Sequence, residues 1–263
     1  MRISRIKSKL SRNEPVLLTT LHLTDPSLFE MTSLMGFDGI WLDLEHHHFS
    51  VETANEFLRA ARVGSSDVMV RPAKGEFMRM GRILEAGATG IMYPRCDNAA
   101  EAREVVKWAK FAPQGQRGID AANPDNPYCM MPLVEYLKAA NEQTFIVTQI
   151  EDPQALKHCD EMAVVDGVDV IFFGPGDFSI LSGIPGQWDH PLIEDAMRKI
   201  AAATKKAGKH WGMPIFSIDH AKKVLELGGR FLCHSADIIM VKTALEDMQR
   251  KFEPLGITFE RRA

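Results

Sequence analysis

The chain has 263 residues, of which 45% are hydrophobic and 25% are charged, the composition of an ordinary globular protein with a sizeable core. A formal net charge of -4 gives no electrostatic basis for binding nucleic acid, and the apolar stretch after Pro15 is too short for a signal sequence or a membrane span. The four cysteines lack CxxC spacing, so neither a zinc knuckle nor a disulfide framework is expected. We expect a cytoplasmic location.

Apolar runs with strand character alternate with helix-like segments along the chain. The predicted strands cover residues 16–20, 39–44, 67–71, 90–93, 145–150, 168–173, 210–213 and 231–233. The predicted helices cover residues 51–61, 77–86, 99–110, 192–206, 218–227 and 243–251, with a short helix at 133–140. Gly87, Gly208 and Gly228 each follow a helix where a terminating glycine belongs. This alternation predicts one α/β domain over residues 1–263, a closed (β/α)8 TIM barrel.

In such barrels, catalytic residues come from the C-terminal ends of strands and the loops that follow. The second strand ends in Asp43-Leu44-Glu45-His46, charged groups directly after a buried apolar run. Charge in that position must be paired, hydrogen-bonded or bound to a ligand. The third, fifth and sixth strands end in Arg71, in Gln149 and Glu151, and in Gly174-Pro175-Gly176-Asp177. We therefore expect a site at this end of the barrel. The long connection at 112–141 is also expected to be functional.

Glu151 and Asp177 are the expected ligands of a divalent cation, because Mg²⁺, Mn²⁺ or Co²⁺ accepts carboxylate oxygens and keeps positions open for water and substrate. Each residue alone has a structural interpretation. Glu151 would cap a helix beginning near Asp152, and Asp177 would cap or turn the chain. Their occurrence together, beside the cluster on the second strand, favours the metal.

Arg71 supplies a fixed positive charge at a strand end, which suits stabilisation of a developing enolate oxygen. A structural ion pair with a barrel carboxylate is an equally good interpretation. The glycine-rich turn at 174–177 is expected to offer backbone N–H groups to a substrate carboxylate.

Three consecutive histidines follow Glu45. Neighbouring side chains point in different directions, so His46, His47 and His48 are not expected to share a zinc ion. One imidazole oriented by a carboxylate would serve as a general base near neutral pH. His47 and His48 are interpreted as surface loop residues.

Five segments occur in a recognisable order: FDGIWLDLEH at 37–46, VRP at 70–72, QRG at 116–118, TQIE at 148–151 and GPGDFS at 174–179. In them the chain resembles the metal-dependent class II pyruvate aldolases of the HpcH/HpaI family. The resemblance covers most of the chain. It implies reversible aldol cleavage and addition between a 2-oxoacid enolate, from pyruvate or hydroxypyruvate, and an aldehyde. It also implies a homo-oligomer, a trimer or hexamer, whose last helix packs against a neighbouring subunit.

The resemblance also implies roles for individual residues. Glu151 and Asp177 would ligate the ion, His46 would act as base through metal-bound water, and Arg71 would hold the enolate oxygen. The oxoacid would be bound by Gln149 and by the backbone of Gly176 and Asp177.

Three carboxylates have supporting roles in this scheme. Asp43, counted with the catalytic set, and Glu45 would lie behind the groups that touch substrate. Glu85 matches the position of a catalytic acid that raises the basicity of the histidine, although a solvated glutamate at a helix end is the ordinary explanation.

The chain also departs from the resemblance. The segment His47-His48-Phe49-Ser50 replaces the usual Ala-Pro stretch, which predicts a different aldehyde, while Leu44 replaces a common glycine and Glu85 a frequent aspartate. Lys242 would begin the last helix and face solvent or bind a carboxylate; a Schiff-base lysine would need a desolvated position.

Two alternatives remain open at this point. One is a citrate lyase-like carbon–carbon lyase that uses the same metal and enolate. The other is a non-catalytic barrel subunit.

Overall fold

In the computed structural model, which describes residues 2–260, eight parallel strands close into a barrel in sequence order. The ends of the predicted domain, residue 1 and residues 261–263, lie outside the described part. The strands are β1 (Val16–Leu21), β2 (Gly39–Asp43), β3 (Asp67–Arg71), β4 (Gly90–Tyr93), β5 (Phe145–Ile150), β6 (Val170–Phe173), β7 (His210–Ile215) and β8 (Phe231–Ala236). The predicted TIM barrel is confirmed.

The helices lie outside this barrel, apart from the first, which closes one end. They are α1 (Arg5–Ser11), α2 (Pro26–Leu34), α3 (Val51–Ala60), α4 (Phe77–Glu85), α5 (Ala99–Ala109), α6 (Leu133–Gln143), α7 (Cys159–Ala163), α8 (Pro175–Leu181), α9 (Pro191–Ala207), α10 (Ile218–Glu226) and α11 (Asp237–Phe252). Within residues 2–260, no helix has the length and hydrophobicity needed to cross a membrane.

Alternation of side chains along the strands places the polar residues of the predicted site. In β2, Trp41 belongs to the cluster inside the barrel, whereas Ile40 packs in the layer between sheet and helices. Asp43 has the same parity as Trp41 and therefore lies on the interior side. In β3, Arg71 follows interior Met69 in the same way, and the register pairs Asp43 with Arg71.

The segments that differ from the sequence-based expectation include two at the C-terminal end of the barrel. The predicted turn at 174–177 is the start of α8, with Gly174 at the N-cap and Pro175 in the first turn, where the missing N–H of proline costs nothing. Helix α11 begins at Asp237 rather than at residue 243. The Asp237 carboxylate accepts N–H groups from His22 and Leu23 at 2.8 and 2.9 Å, which fixes the start of this helix against the end of β1.

Helix α1, which the sequence analysis did not predict, closes the N-terminal end of the barrel with Ile6 and Leu10. Buried Asp67 holds it there, because Oδ2 accepts the hydroxyl of Ser4 at 2.7 Å and the N–H of Ile6 at 2.8 Å. Burial raises the pKa of Asp67 to about 6, because these two bonds do not replace the lost hydration.

We predict that Asp67 makes stability depend on pH between its ordinary pKa of 3.8 and its folded value of about 6. In this range the folded protein keeps a proton that the unfolded chain releases, so the free energy of unfolding falls as pH rises. The decrease should be on the order of 3 kcal/mol, at about 1.4 kcal/mol for each pKa unit. Asp67→Asn, neutral throughout, should flatten this part of the curve in urea unfolding followed by circular dichroism. Equal slopes in both proteins would contradict the prediction.

Candidate active site

Arg71 is held by a two-pronged ion pair at the C-terminal end of the barrel. Its Nε and Nη2 donate to Oδ1 and Oδ2 of Asp43 at 2.9 and 2.6 Å, and its guanidinium lies over the ring of Trp41, 4.7 Å from the centroid. Burial is the largest effect on Asp43 and opposes its ionisation, but the hydrogen bonds and charge of Arg71, together with the N–H of Glu45, outweigh it and lower the pKa of this carboxyl. The structural ion pair, one of the two interpretations of Arg71 from the sequence, is therefore present. It fixes the guanidinium in one orientation.

Gln149 connects this pair to Glu151. Its Oε1 accepts from Arg71 Nη1 at 3.2 Å, and its Nε2 donates to Glu151 Oε2 at 2.9 Å. Glycine is required at position 174, because a Cβ there would lie 2.6 Å from Glu151 Oε2 and 2.8 Å from Gln149 Nε2. Strand β6 thus approaches β5 closely enough to enclose the Glu151 carboxylate.

Glu151 is a buried carboxylate that lacks a full counter-charge. Its Oε1 accepts the backbone N–H of Arg95 at 2.9 Å. Burial raises its pKa to about 7, although Arg71 acts in the opposite direction. A cation at this carboxylate would remove much of that cost.

Asp177 lies in the first turn of α8 and is partly exposed. Its Oδ2 accepts from Arg95 Nη2 at 3.0 Å, so Arg95 contacts both predicted metal ligands. The sequence analysis missed Arg95. The signal was available, since this residue follows the C-terminal end of β4 just as the other site residues follow their strands.

The other two predicted glutamates, Glu45 and Glu85, lie in different surroundings. Glu45 is close to the site, with Oε2 at 3.2 Å from Arg71 Nε, and this buried oxygen has no hydrogen-bond partner among the described residues. Glu85 ends α4 beside Arg117 and the Asp120 backbone of the long connection, and burial raises its pKa. Within one chain the structure does not bring Glu85 to His46, so its catalytic role stays a prediction.

The histidines differ from the sequence-based expectation. His46 is exposed, with Nε2 3.7 Å from Glu45 Oε2. His47, interpreted as a surface residue, is partly buried, with Nε2 3.9 Å from Asp43 Oδ2 and its ring 4.0 Å from that of His22. His47 is thus a loop residue with only part of its ring exposed, whereas His48 is exposed as expected.

Lys242 does not enter the barrel. It lies on α11 with its side chain 70% exposed and pairs with Glu246 at 3.0 Å. A lysine that faces solvent lacks the desolvated surroundings that Schiff-base chemistry needs.

The donor set suits a hard divalent cation. Four carboxylates, Asp43, Glu45, Glu151 and Asp177, surround two guanidinium groups, those of Arg71 and Arg95, which leaves an excess of two negative charges when all are ionised. Within residues 2–260, no three His, Cys, Asp or Glu side chains form a metal cluster. A site with two carboxylate ligands, open to water and substrate, is compatible with both observations.

Comparison with known proteins identifies the family. A profile described as HpcH/HpaI aldolase/citrate lyase matches residues 19–242. The chain belongs to this family. It is 31% identical to a hydroxypyruvate/pyruvate aldolase of Pseudomonas aeruginosa over 95% of this chain and 93% of that protein. It is also 31% identical to a 4-hydroxy-2-oxo-heptane-1,7-dioate aldolase of Shigella sonnei over 94% of each chain.

A solved structure extends this result to the fold. The crystal structure of an HpcH/HpaI aldolase from Desulfitobacterium hafniense matches with a TM-score of 0.88 and 28% identity, covering 94% of this chain and 96% of the other. The predicted family and enzyme class, a carbon–carbon lyase of the class II aldolase type, are confirmed.

We predict that Arg71→Lys folds normally but loses turnover in cleavage of a 4-hydroxy-2-oxoacid. The ammonium group of a lysine is a compact charge on a flexible chain. It cannot make both hydrogen bonds to Asp43 and also direct a further N–H group at an oxyanion. The loss should be on the order of 100-fold to 1000-fold, as for an oxyanion-hole donor. Arg79→Lys, which alters an exposed pair with Glu76, is the control. Unchanged turnover in the Arg71 variant would leave the ion pair with a structural role only.

Proposed function

We propose that this protein catalyses reversible, metal-dependent aldol cleavage and addition between the enolate of a 2-oxoacid, pyruvate or hydroxypyruvate, and an aldehyde. The main support is the buried guanidinium of Arg71, which is connected to the Glu151 carboxylate by hydrogen bonds through the side chain of Gln149. This arrangement places a fixed cation beside a carboxylate able to bind a metal. The names of the two aldolase relatives support the same chemistry.

Glu151 and Asp177 would hold the divalent ion, Mg²⁺, Mn²⁺ or Co²⁺, which supplies Lewis-acid polarisation of the 2-oxo group when bound. Arg71 has five N–H donors, and those not bonded to Asp43 and Gln149 remain for the oxygen that becomes negative as the enolate forms. Because Asp43 already fixes the guanidinium, no reorientation is needed during the reaction.

The oxoacid carboxylate would be bound by Gln149 and by backbone N–H groups of Gly176 and Asp177. These N–H groups lie in the first turn of α8, where a helix leaves its own donors without internal partners. A carboxylate at that position therefore replaces water and does not compete with the helix.

His46 would move the proton. In cleavage it takes the proton of the 4-hydroxyl group as the bond between C3 and C4 breaks, and it then returns this proton to C3 of the enolate, which gives the free 2-oxoacid. The exposed His46 ring is free to approach a substrate above Glu45, whose carboxylate lies near enough to orient it. His47, which lies between Asp43 and His22, would contact the aldehyde.

We predict that the protein exchanges pyruvate methyl protons with deuterated water, as followed by NMR, and that chelation stops this exchange without unfolding the protein. Glu151→Gln should abolish both Mn²⁺ binding and exchange. His46→Ala should abolish exchange and aldol cleavage but keep Mn²⁺ binding, because this imidazole is not a ligand. His47→Ala is the matched control and should keep exchange while changing aldehyde preference.

Other outcomes would identify the alternatives. Full exchange after exhaustive chelation would exclude the metal role. Exchange without any aldol product from a panel of aldehydes would favour a citrate lyase-like electrophile, and no exchange under any metal would favour a non-catalytic barrel.

We also propose that the protein is a homo-oligomer, a trimer or hexamer, in which α11 packs against a neighbouring subunit. Asp237 is the only buried residue of this helix, and one side of it presents a stripe of exposed apolar side chains: Ile238, Val241, Leu245, Met248 and Phe252. An apolar groove of about 470 Å³ between β1, β7, β8 and α10 includes Leu17, Ile215, Ile218 and Leu232. The helix and the groove are both apolar and uncovered within one chain.

We predict that Leu245→Glu lowers the molar mass measured by light scattering, since it places a charge in the middle of the apolar stripe. Thr243→Glu, on the opposite side of the same helix, should leave the assembly intact. A wild-type mass equal to one chain of 29.4 kDa would contradict the oligomer.

A further inference from the structure

Arg95 joins the two carboxylates that the proposed function assigns to the metal. Its backbone N–H donates to Glu151 Oε1 at 2.9 Å, and its Nη2 donates to Asp177 Oδ2 at 3.0 Å. Its Nε also lies 4.0 Å from Glu45 Oε1. The guanidinium therefore occupies the space beside Asp177 that a cation bound to this carboxylate would use.

The backbone of Arg95 is held in an unusual conformation. Its φ is +47°, in the left-handed region, which is unfavourable for a residue with a Cβ. This conformation directs the N–H group at Glu151. The main chain of Arg95 is thus fixed against one ligand, whereas its side chain, 52% exposed, is free to leave the other.

We propose that Arg95 is an internal competitor of the divalent ion: its guanidinium pairs with Asp177 in the metal-free protein and must leave that carboxylate before the ion binds. The inference rests on the proposed function for the identity of the two ligands. A divalent ion and a guanidinium cannot share Asp177 Oδ2 in close contact without strong repulsion. Release is possible because solvent is available to the guanidinium at the mouth of the barrel.

A positioning role for the same ion pair makes the opposite prediction. If Arg95 only orients Asp177 for the metal, removing the guanidinium loosens the ligand and weakens metal binding. If Arg95 competes, removing it tightens binding, because one charge-assisted hydrogen bond no longer has to break. Such an exposed pair is worth about 0.2 to 1 kcal/mol, which corresponds to an increase in affinity of about 1.4-fold to 5-fold.

The test is a titration of the full-length protein with Mn²⁺ alone, in which free Mn²⁺ is measured by electron paramagnetic resonance. Arg95→Gln should bind Mn²⁺ about 2-fold to 5-fold more tightly than the wild type. Arg95→Lys, which keeps the charge but loses the planar fork, should fall between the two. Arg79→Gln, which removes an equal charge from an exposed pair with Glu76 on α4, should bind as the wild type does.

Equal or weaker binding by Arg95→Gln would overturn the inference, and so would equal tightening in Arg79→Gln, which would indicate an effect of net charge only. Glu151→Gln separates this failure from failure of the metal site. If Glu151→Gln loses Mn²⁺ binding while Arg95→Gln does not tighten it, the site is correct and the competition is absent. If Glu151→Gln binds Mn²⁺ as the wild type does, the ligand assignment itself is wrong.

Discussion

The buried ion pair between Arg71 and Asp43 is the interaction on which the rest of the site depends. A guanidinium and a carboxylate taken out of water lose several kcal/mol of hydration each, and only close, two-pronged geometry recovers it. The register of β2 and β3 supplies that geometry by placing the two residues opposite each other. Removing Asp43 alone would leave a buried, unpaired guanidinium. The same ion pair therefore contributes to the stability of the barrel and to the orientation of Arg71 in the site.

The pair also sets the positions of the neighbouring groups. Gln149 can accept from Arg71 and donate to Glu151 only in one amide orientation, and this makes the side chains of three strands a single hydrogen-bonded row. A row of this kind holds its members rigidly before substrate arrives, which is the condition for stabilising charge that appears during a reaction.

The carboxylates around this row exceed the cations available from the chain itself. Burial raises the pKa of Glu151 to about 7. Glu45 has a buried carboxylate oxygen without a hydrogen bond among the described residues. Asp177 instead pairs with the exposed side chain of Arg95. A divalent cation at this position would offset both the burial of the Glu151 charge and the local excess of carboxylates.

The sequence by itself determined the barrel, the family and most of the polar residues at its mouth. Strand parity and strand ends are local properties, so Asp43, Arg71, Gln149 and Glu151 were found from the pattern of each strand alone. Helix α1 was missed because its apolar side chains are explained only by the open end of the barrel that they fill. The partial burial of His47, the place of Glu85 against the long connection and the pairing of Arg95 with Asp177 depend on side chains far apart in the sequence. Only the tertiary structure decided these, because the energy of a charge depends on which other charges the fold brings within a few ångströms of it.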